Sequence, residues 1–285
     1  MAGETTLSTL DDSVFSEWMD SIMIEEIRPY NVMRPTFRYR GKEHANVFSF
    51  TLQDDPGVAT AKAEGSSLSP TSMTSAKVQV TAGTIGQMAT LTDELTAISL
   101  FDAYQHIAGV LWRSVAEKFE TDATALLDDF SNTTGTSGAD YTWAQRAEAI
   151  GALANRDAMG QLVEVLHTQQ VNDLMQDLTT TTAAVFGNPN VTFAGVEVSQ
   201  LQGYAFTSQG VPTLQTSLVP TADAGANRNG AIYVAGLALG HYEIWGPRTE
   251  TDRDISLPGT EVVTTERYGV GVVRNTWGQG IKTDA

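Results

Sequence analysis

The sequence predicts an α+β fold, on three observations. Residues 92–130 carry apolar side chains three or four apart, at Ile98, Phe101, Tyr104, Ala108, Leu111, Trp112, Val115, Phe119, Ala123, Leu126, Leu127 and Phe130, the spacing of one side of a continuous α-helix. Before it, Phe37, Tyr39, Phe48, Phe50 and Leu52, and then Val78 and Val80, alternate with polar residues as strands do. After it, helical and extended patterns mix, and the chain ends in a run of strands at 231–234, 237–239, 242–245, 261–264 and 268–275.

In chain order, residues 1–11 are polar and contain little that would order them without a partner. A short amphipathic helix follows, capped near Asp12 or Ser13, with Val14, Phe15, Trp18, Met19 and Ile22 on one face and Pro29 closing it. Between Leu52 and Val78 the chain is rich in Gly, Pro, Ser and Thr, so the flanking alternating runs read as a long two-stranded hairpin with a flexible tip. Such a hairpin buries too little apolar surface to offset the entropy of ordering it. It must fold back on its own domain or lie across a neighbouring copy.

The central helix would span roughly 50 Å at about 1.5 Å per residue. Thr92 is its N-cap candidate, Asp93 and Glu94 suit the positive end of the helix dipole, and SNTTGTSG at 131–138 is a stop. Gly109 costs it up to about 1 kcal/mol. A second helix is expected over 141–159, with Trp143, Ala147, Ile150 and Leu153 in phase, then a strand at 161–166. Thr168 is expected to cap a short helix bearing Val171, Leu174, Met175 and Leu178. Gly187-Asn188-Pro189-Asn190 reads as a turn, followed by strands around Val191, Phe193, Val196 and Val198, and residues 200–229 as a polar loop.

The length of 285 residues suffices for a sizeable core divided between two structural regions. No apolar run is long enough to cross a bilayer, so no membrane partner is expected, and MAGETTLSTLDD lacks the basic and apolar parts of a signal peptide. Synthesis in the cytoplasm is therefore expected. The absence of cysteine excludes disulfides, zinc-thiolate sites and thiol nucleophiles. A net charge of -17 argues against a surface that embraces nucleic acid, because phosphate contacts need clustered cations. The charge is uneven: Arg28, Arg34, Arg38, Arg40 and Lys42 cluster early, whereas residues 157–227 contain no Lys or Arg. That split suits complementary surfaces on different subunits, or simply a solvated set of charges.

Catalytic patterns are missing. There is no GxSxG, phosphate-binding loop or HExxH, and Gly269-Val270-Gly271 lacks the third glycine of a dinucleotide loop, so these glycines are expected to permit close packing in a strand. His44, His106, His167 and His241 show no ligand-like spacing to one another. Asp102 and His106, one helical turn apart, could bind a metal, but an ordinary polar pair is the commoner reading of such spacing, as it is of Lys118 with Asp122. Trp18, Trp112 and Trp143 fall in phase with apolar helix faces and are expected in core or interface packing. No catalytic residue, cofactor or metal site is expected.

The order of these parts, with LTDELTAISLFDAYQHIAGVLWRSVAEKFETDATALL opening the long helix, LVEVLHTQQVNDLMQDL after it and YGVGVVRNTWGQGIKTD near the end, resembles the major capsid proteins of tailed bacteriophages, the Hong Kong phage-type fold shared with encapsulins. The resemblance implies an N-arm with its short helix over 1–33, an extended β-hairpin E-loop over 34–90, a peripheral domain with the spine helix over 91–160, a mixed α/β axial domain over 161–242, and C-terminal strands returning to the peripheral domain over 243–285. It implies a non-enzymatic subunit that self-assembles as pentamers and hexamers, through a procapsid that matures, into an icosahedral shell around double-stranded DNA, held without sequence-specific binding in a virion built in the host cytoplasm.

The acidic balance suits a lining that must not capture the strand. Trp18, Arg34, Arg38, Arg40, Lys42 and Lys62 become candidate intersubunit contacts. The chain starts almost directly with its arm, so a separate scaffolding protein is expected, with portal and decoration proteins as further partners. Lys62 and Asn275 are the residues that a covalent crosslink of the kind some relatives form would use, although Lys62 is more simply a solvated or salt-bridging residue. An encapsulin-like compartment and a secreted or surface α+β binding module remain the alternatives.

Overall fold

The computed structural model describes residues 32–41, 45–53, 59, 61–67, 70, 72–98, 103–186, 203–208, 210–222, 225, 227–254, 256 and 258–284. The first half of the chain holds β1 (Arg38–Gly41), β2 (Val47–Gln53), β3 (Ser75–Thr81), β4 (Gly83–Thr92), α1 (Asp93–Ile98), α2 (Ala103–Ala125), β5 (Thr133–Thr134) and α3 (Trp143–Ala154). Then come β6 (Leu162–Leu166), α4 (Thr168–Phe186), β7 (Gly203–Ser208), β8 (Val211–Gln215), β9 (Thr221–Ala222), β10 (Asn227–Val234), β11 (Leu239–Asp254), β12 (Gly259–Val272) and β13 (Gly278–Asp284). One sheet has the order β1-β11-β12-β4, the other β5-β13-β10-β6-β8-β7 with β9 beside β10, and β2 pairs β3 apart from both. This mixture of layers is the expected α+β class.

The larger sheet is covered on both faces, which follows from strict alternation along its strands. Ala231 and Tyr233 of β10 and Val163 and Val165 of β6 point to a core shared with Phe119, Ala123, Leu127 and Phe130 of the α2 region. Ile232, Leu166 and Ile281 point to the opposite core, built with Ala149 and Leu153 of α3 and Val171 and Leu174 of α4. On that side lies a buried polar knot. Glu164 accepts hydrogen bonds from Arg146 Nε at 2.9 Å, Tyr141 Oη at 2.9 Å and Thr213 Oγ1 at 2.5 Å, so the charge is paired and its lone pairs are used.

Several expectations change in detail. Thr92 caps α1 through Leu95 N at 3.4 Å, but the regular part of α2 stops at Ala125 and tighter i→i−3 turns carry the chain to Asp129, short of Phe130. Trp112, seven residues before Phe119 and so on the same helix side, is 43% exposed and is no part of this chain's core. α4 is longer than expected, and its cap is His167: Nδ1 accepts from Gln169 N at 3.1 Å, while Gln170 Oε1 accepts from His167 N at 3.0 Å. Burial, reinforced by Arg228, lowers that imidazole's pKa to about 4, leaving it neutral as an acceptor must be.

Residues 203–222, expected as loop, contain β7, β8 and β9. Thr213 and Gln215 occupy two of the three inward positions of β8, beside Val211, so its buried face reads as mostly polar. The expected break between 264 and 268 disappears into one strand, β12, while Asn275 to Trp277 form a 3-10 turn in place of a strand end. The N-terminal amphipathic helix, the turn at 187–190 and the strands at 191–198 lie outside the described residues.

The β2–β3 hairpin keeps register from Val47 opposite Thr81 to Gln53 opposite Ser75. Its root is seated on its own chain: Phe50 and Val80 pack with Tyr242 and Val273, and Phe48 stacks on Tyr242 at 5.3 Å. Close approach is possible because a Cβ at Gly240 would meet the Phe50 ring at 2.8 Å and one at Gly269 would meet Thr81 O at 2.4 Å. Beyond the root, Thr51, Gln53 and residues 75–77 are exposed. Of the two supports expected, the chain supplies one at the root and none farther out among the described residues.

Candidate functional site

Residues 32–37 form a peg driven between α2, β10, β11 and β12. Met33 is fully buried, and its N–H donates to Glu120 Oε1 at 3.2 Å and Oε2 at 3.1 Å. Thr36 Oγ1 donates to Met33 O and lies 2.7 Å from Tyr233 Oη, while Thr36 O accepts from Gly236 N at 2.7 Å. Phe37 sits edge-on to Phe119 with centroids 6.1 Å apart. Residues 33–36 are therefore fixed to the body of the fold by backbone hydrogen bonds as well as packing. Burial raises the Glu120 carboxyl to about 7, against the opposing pull of the Met33 and Val32 N–H groups.

Beside the peg lies an ionic cluster. Arg34 bonds the Glu266 carboxylate, lies 3.9 Å from Glu243 Oε2, and its guanidinium sits 4.5 Å above the Phe119 ring. His241 and Glu243, two apart on β11, share a sheet face, and Glu266 reaches them from β12. One ligand atom from each of the three lies within 4.8 Å of the other two, a donor set of one imidazole nitrogen and two carboxylate oxygens suited to a divalent cation. His241 Nε2 and Glu266 Oε2 are buried with no hydrogen-bond partner among the described residues.

Burial, with Arg34 nearby, lowers the His241 pKa to about 3; burial raises that of Glu266, against the attraction of Arg34. A cavity of about 460 Å³ lined by Arg34, Pro35, Phe37, Tyr39, His241 and Glu243 leads to the cluster from outside. Tyr39 Oη donates to Glu243 Oε1 at 3.4 Å. The arrangement holds charge and fixes chain direction. The cluster has no Ser, Cys or Lys nucleophile beside the imidazole.

Of the sequence-predicted contact residues, Arg34, Arg38, Arg40 and Lys62 fall among the described residues. The carboxylates that Arg34 meets belong to its own chain. Arg38 is half-buried and Arg40 exposed on β1, an edge strand, and neither pairs with a carboxylate among the described residues. Lys62 is exposed in the segment beyond the hairpin, and Trp18 and Lys42 lie outside the described residues. Asn275 is engaged locally: its Oδ1 accepts from Ser131 N and Oγ at 3.0 Å. Lys118 and Asp122 form the expected helical pair, while the side chains of Asp102 and His106 lie outside the description. Trp143 is core, its Nε1 donating to Leu174 O at 2.9 Å. Sequence reasoning missed Glu120, His241, Glu243 and Glu266. The one available signal was His241-Tyr242-Glu243, whose i,i+2 spacing puts both end groups on one face of a strand.

Neither a family model nor a curated protein matches the sequence. Solved structures do. A chain of the capsid structure of the Cyanophage P-SCSP1u superposes with a TM-score of 0.66 at 13% identity, covering 98% of this chain and 96% of that one. The fold is that of a phage capsid. The bacteriophage PhiM1 mature capsid gives 0.66 at 14% identity over 88% and 86% of the two chains, and the capsid of the native GTA particle 0.63 at 16% identity over 97% and 100%. Agreement at such low identity is agreement of architecture, and it covers almost the whole capsid fold, not a shared sheet motif.

Proposed function

We propose that this chain is a structural major capsid protein, non-enzymatic, whose copies close as pentamers and hexamers into the icosahedral shell of a virion. The observation that carries this reading is the likeness to the Cyanophage P-SCSP1u capsid over 98% of the chain. The protruding hairpin supports it: the root is anchored in cis and the outer part is left exposed, as an arm that reaches a neighbour requires. In this reading residues 1–33 are the N-arm, 34–90 the E-loop with its two roots woven into the β1-β11-β12-β4 sheet, 91–160 the spine-helix region, 161–242 the axial domain and 243–285 the closing strands. Arg38, Arg40 and Lys62 are its candidate contacts to neighbours, with Trp18 and Lys42. Double-stranded DNA is enclosed without sequence-specific contacts, in keeping with a net charge of -17. A scaffolding protein guides closure, the procapsid matures in the host cytoplasm, and portal and decoration proteins complete the shell.

The test is electron microscopy and sedimentation of the full chain, expressed alone and with a candidate scaffolding protein. Closed shells in either preparation are expected. Compact single molecules in both would overturn the reading.

A further inference from the structure

We propose that His241, Glu243 and Glu266 form a binding site for one divalent transition-metal ion, zinc(II) being the favoured occupant, in competition with the guanidinium of Arg34. The inference does not depend on shell assembly. It rests first on two ligand atoms that the fold leaves without partners. His241 Nε2 and Glu266 Oε2 are buried and unbonded among the described residues, although buried polar atoms in folded proteins are nearly always satisfied. Both face the same space as Glu243, whose Oε2 lies 4.0 Å from His241 Nε2, too far for a hydrogen bond.

Second, the ligand chemistry is right for a borderline cation. The imidazole is held in place among the rings of Phe37, Tyr39, Phe119 and Tyr268, and an imidazole nitrogen beside two carboxylate oxygens is a donor set that zinc accepts. Two carboxylates offset the charge of the ion, and the cavity beside Pro35 and Tyr39 leaves an approach and room for a water as fourth ligand. The ligand atoms lie within 4.8 Å of one another, and a tetrahedral zinc site needs them about 3.3 to 3.5 Å apart, given Zn–N and Zn–O bonds of about 2.0 to 2.2 Å. Side-chain rotation of about an ångström closes that gap. Tyr39 Oη, donating to Glu243, is the outer partner that orients one ligand.

Third, the local charge balance is short of cations. Glu243, Glu266 and Asp122 gather here, with Tyr268 Oη donating to Asp122, against Arg34 and the Lys118 already paired to Asp122. Arg34 stands where a metal would stand, as a cation held between two carboxylates. Its side chain is 23% exposed and lines the open cavity, so it can swing outward when an ion takes the carboxylates.

Zinc chloride titrated into the full chain, followed by calorimetry and by thermal unfolding, tests the site. The wild type is expected to bind one ion per chain, removable by a chelator. His241→Phe preserves the aromatic packing but removes the ligand, and is expected to abolish that binding. Arg34→Met is expected to tighten it at least tenfold, and zinc should raise the unfolding temperature of this variant more than that of the wild type. Zinc bound equally well by His241→Phe would place the ion elsewhere and overturn the proposal. Absence of stoichiometric binding in both the wild type and Arg34→Met would overturn it too, leaving a bridging water as the partner of the two orphaned atoms. Should Arg34→Met fail to fold, the comparison of the wild type with His241→Phe decides alone.

Discussion

Phe50→Ala separates the hairpin from the body of the fold. Phe50 is 2% exposed and packs with Val80, Tyr242 and Val273, its ring 4.8 Å from that of Phe48 and against Gly240. Removing a buried phenyl ring costs about 3 to 5 kcal/mol when the surroundings cannot collapse into the space. Here the cluster is small and is built almost wholly by the hairpin and the strand beneath it, so the loss falls on hairpin docking and not on the two large cores. A loss of about 3 kcal/mol is more than a hundredfold in the docking equilibrium.

Native-state hydrogen exchange is the assay. Amides of Val47–Gln53 and Ser75–Thr81 are expected to lose about two orders of magnitude of protection, while those of Leu162–Leu166 and Asn227–Val234 are unchanged. The same variant should lose shell formation while remaining a folded subunit. Uniform loss of protection across all strands would refute the idea that the hairpin is a separately docked unit.

Other perturbations address other links. Arg146→Met leaves the fully buried Glu164 without its cation and is expected to cost about 3 to 5 kcal/mol by urea unfolding, a loss that pairing it with Glu164→Gln should largely recover. Trp112→Ala, removing a side chain that is 43% exposed, should cost the unassembled chain about 1 kcal/mol, not the larger loss of a core tryptophan, by the same measurement. Glu120 titrates at about 7 in the fold against 4.5 as the ordinary value, so protonation favours the folded form. Its contribution, on the order of 3 kcal/mol from that difference, is complete below about pH 4.5 and lost as pH rises through about 7. Glu120→Gln should flatten the stability–pH curve over that window, and an unchanged slope would show the carboxyl to be solvated.

What the sequence disclosed and what it hid divide along physical lines. Helices α2 and α3, and strands such as β6, were legible because a period of 3.6 or 2 in apolar residues reports burial directly. β8 was not, because two of its three inward positions are Thr213 and Gln215, which hydrogen bonding makes tolerable only once Glu164 and the neighbouring strands are in place. Trp112, expected in core or interface packing, is not in this chain's core. Its phase along the helix is right, but phase says nothing about whether anything packs at that level of the axis. The peg and the His241 cluster were hidden more deeply, since Glu120 lies 87 residues from Met33 and Glu266 lies 232 from Arg34. No local pattern encodes such a pairing.

Long-range contacts of this kind also hold the hairpin and the segment at residues 32–37 to the body of the fold. An appendage with exposed outer surface needs a root whose free energy of docking exceeds the entropy released by letting it go. The hairpin has such a root, and the segment at residues 32–37 is anchored as firmly. The hairpin has ring packing against a surface cleared by glycine, and the segment at residues 32–37 has a buried methionine, an ion pair and backbone N–H groups held by one carboxylate. The roots differ in kind, and that has a consequence. Packing at the hairpin is insensitive to pH, whereas the peg depends on Glu120 and Arg34, whose interactions respond to protons and to competing cations. Conditions that change charge alone therefore act on the anchorage of residues 32–37 and leave the hairpin root in place, so the two can be loosened separately.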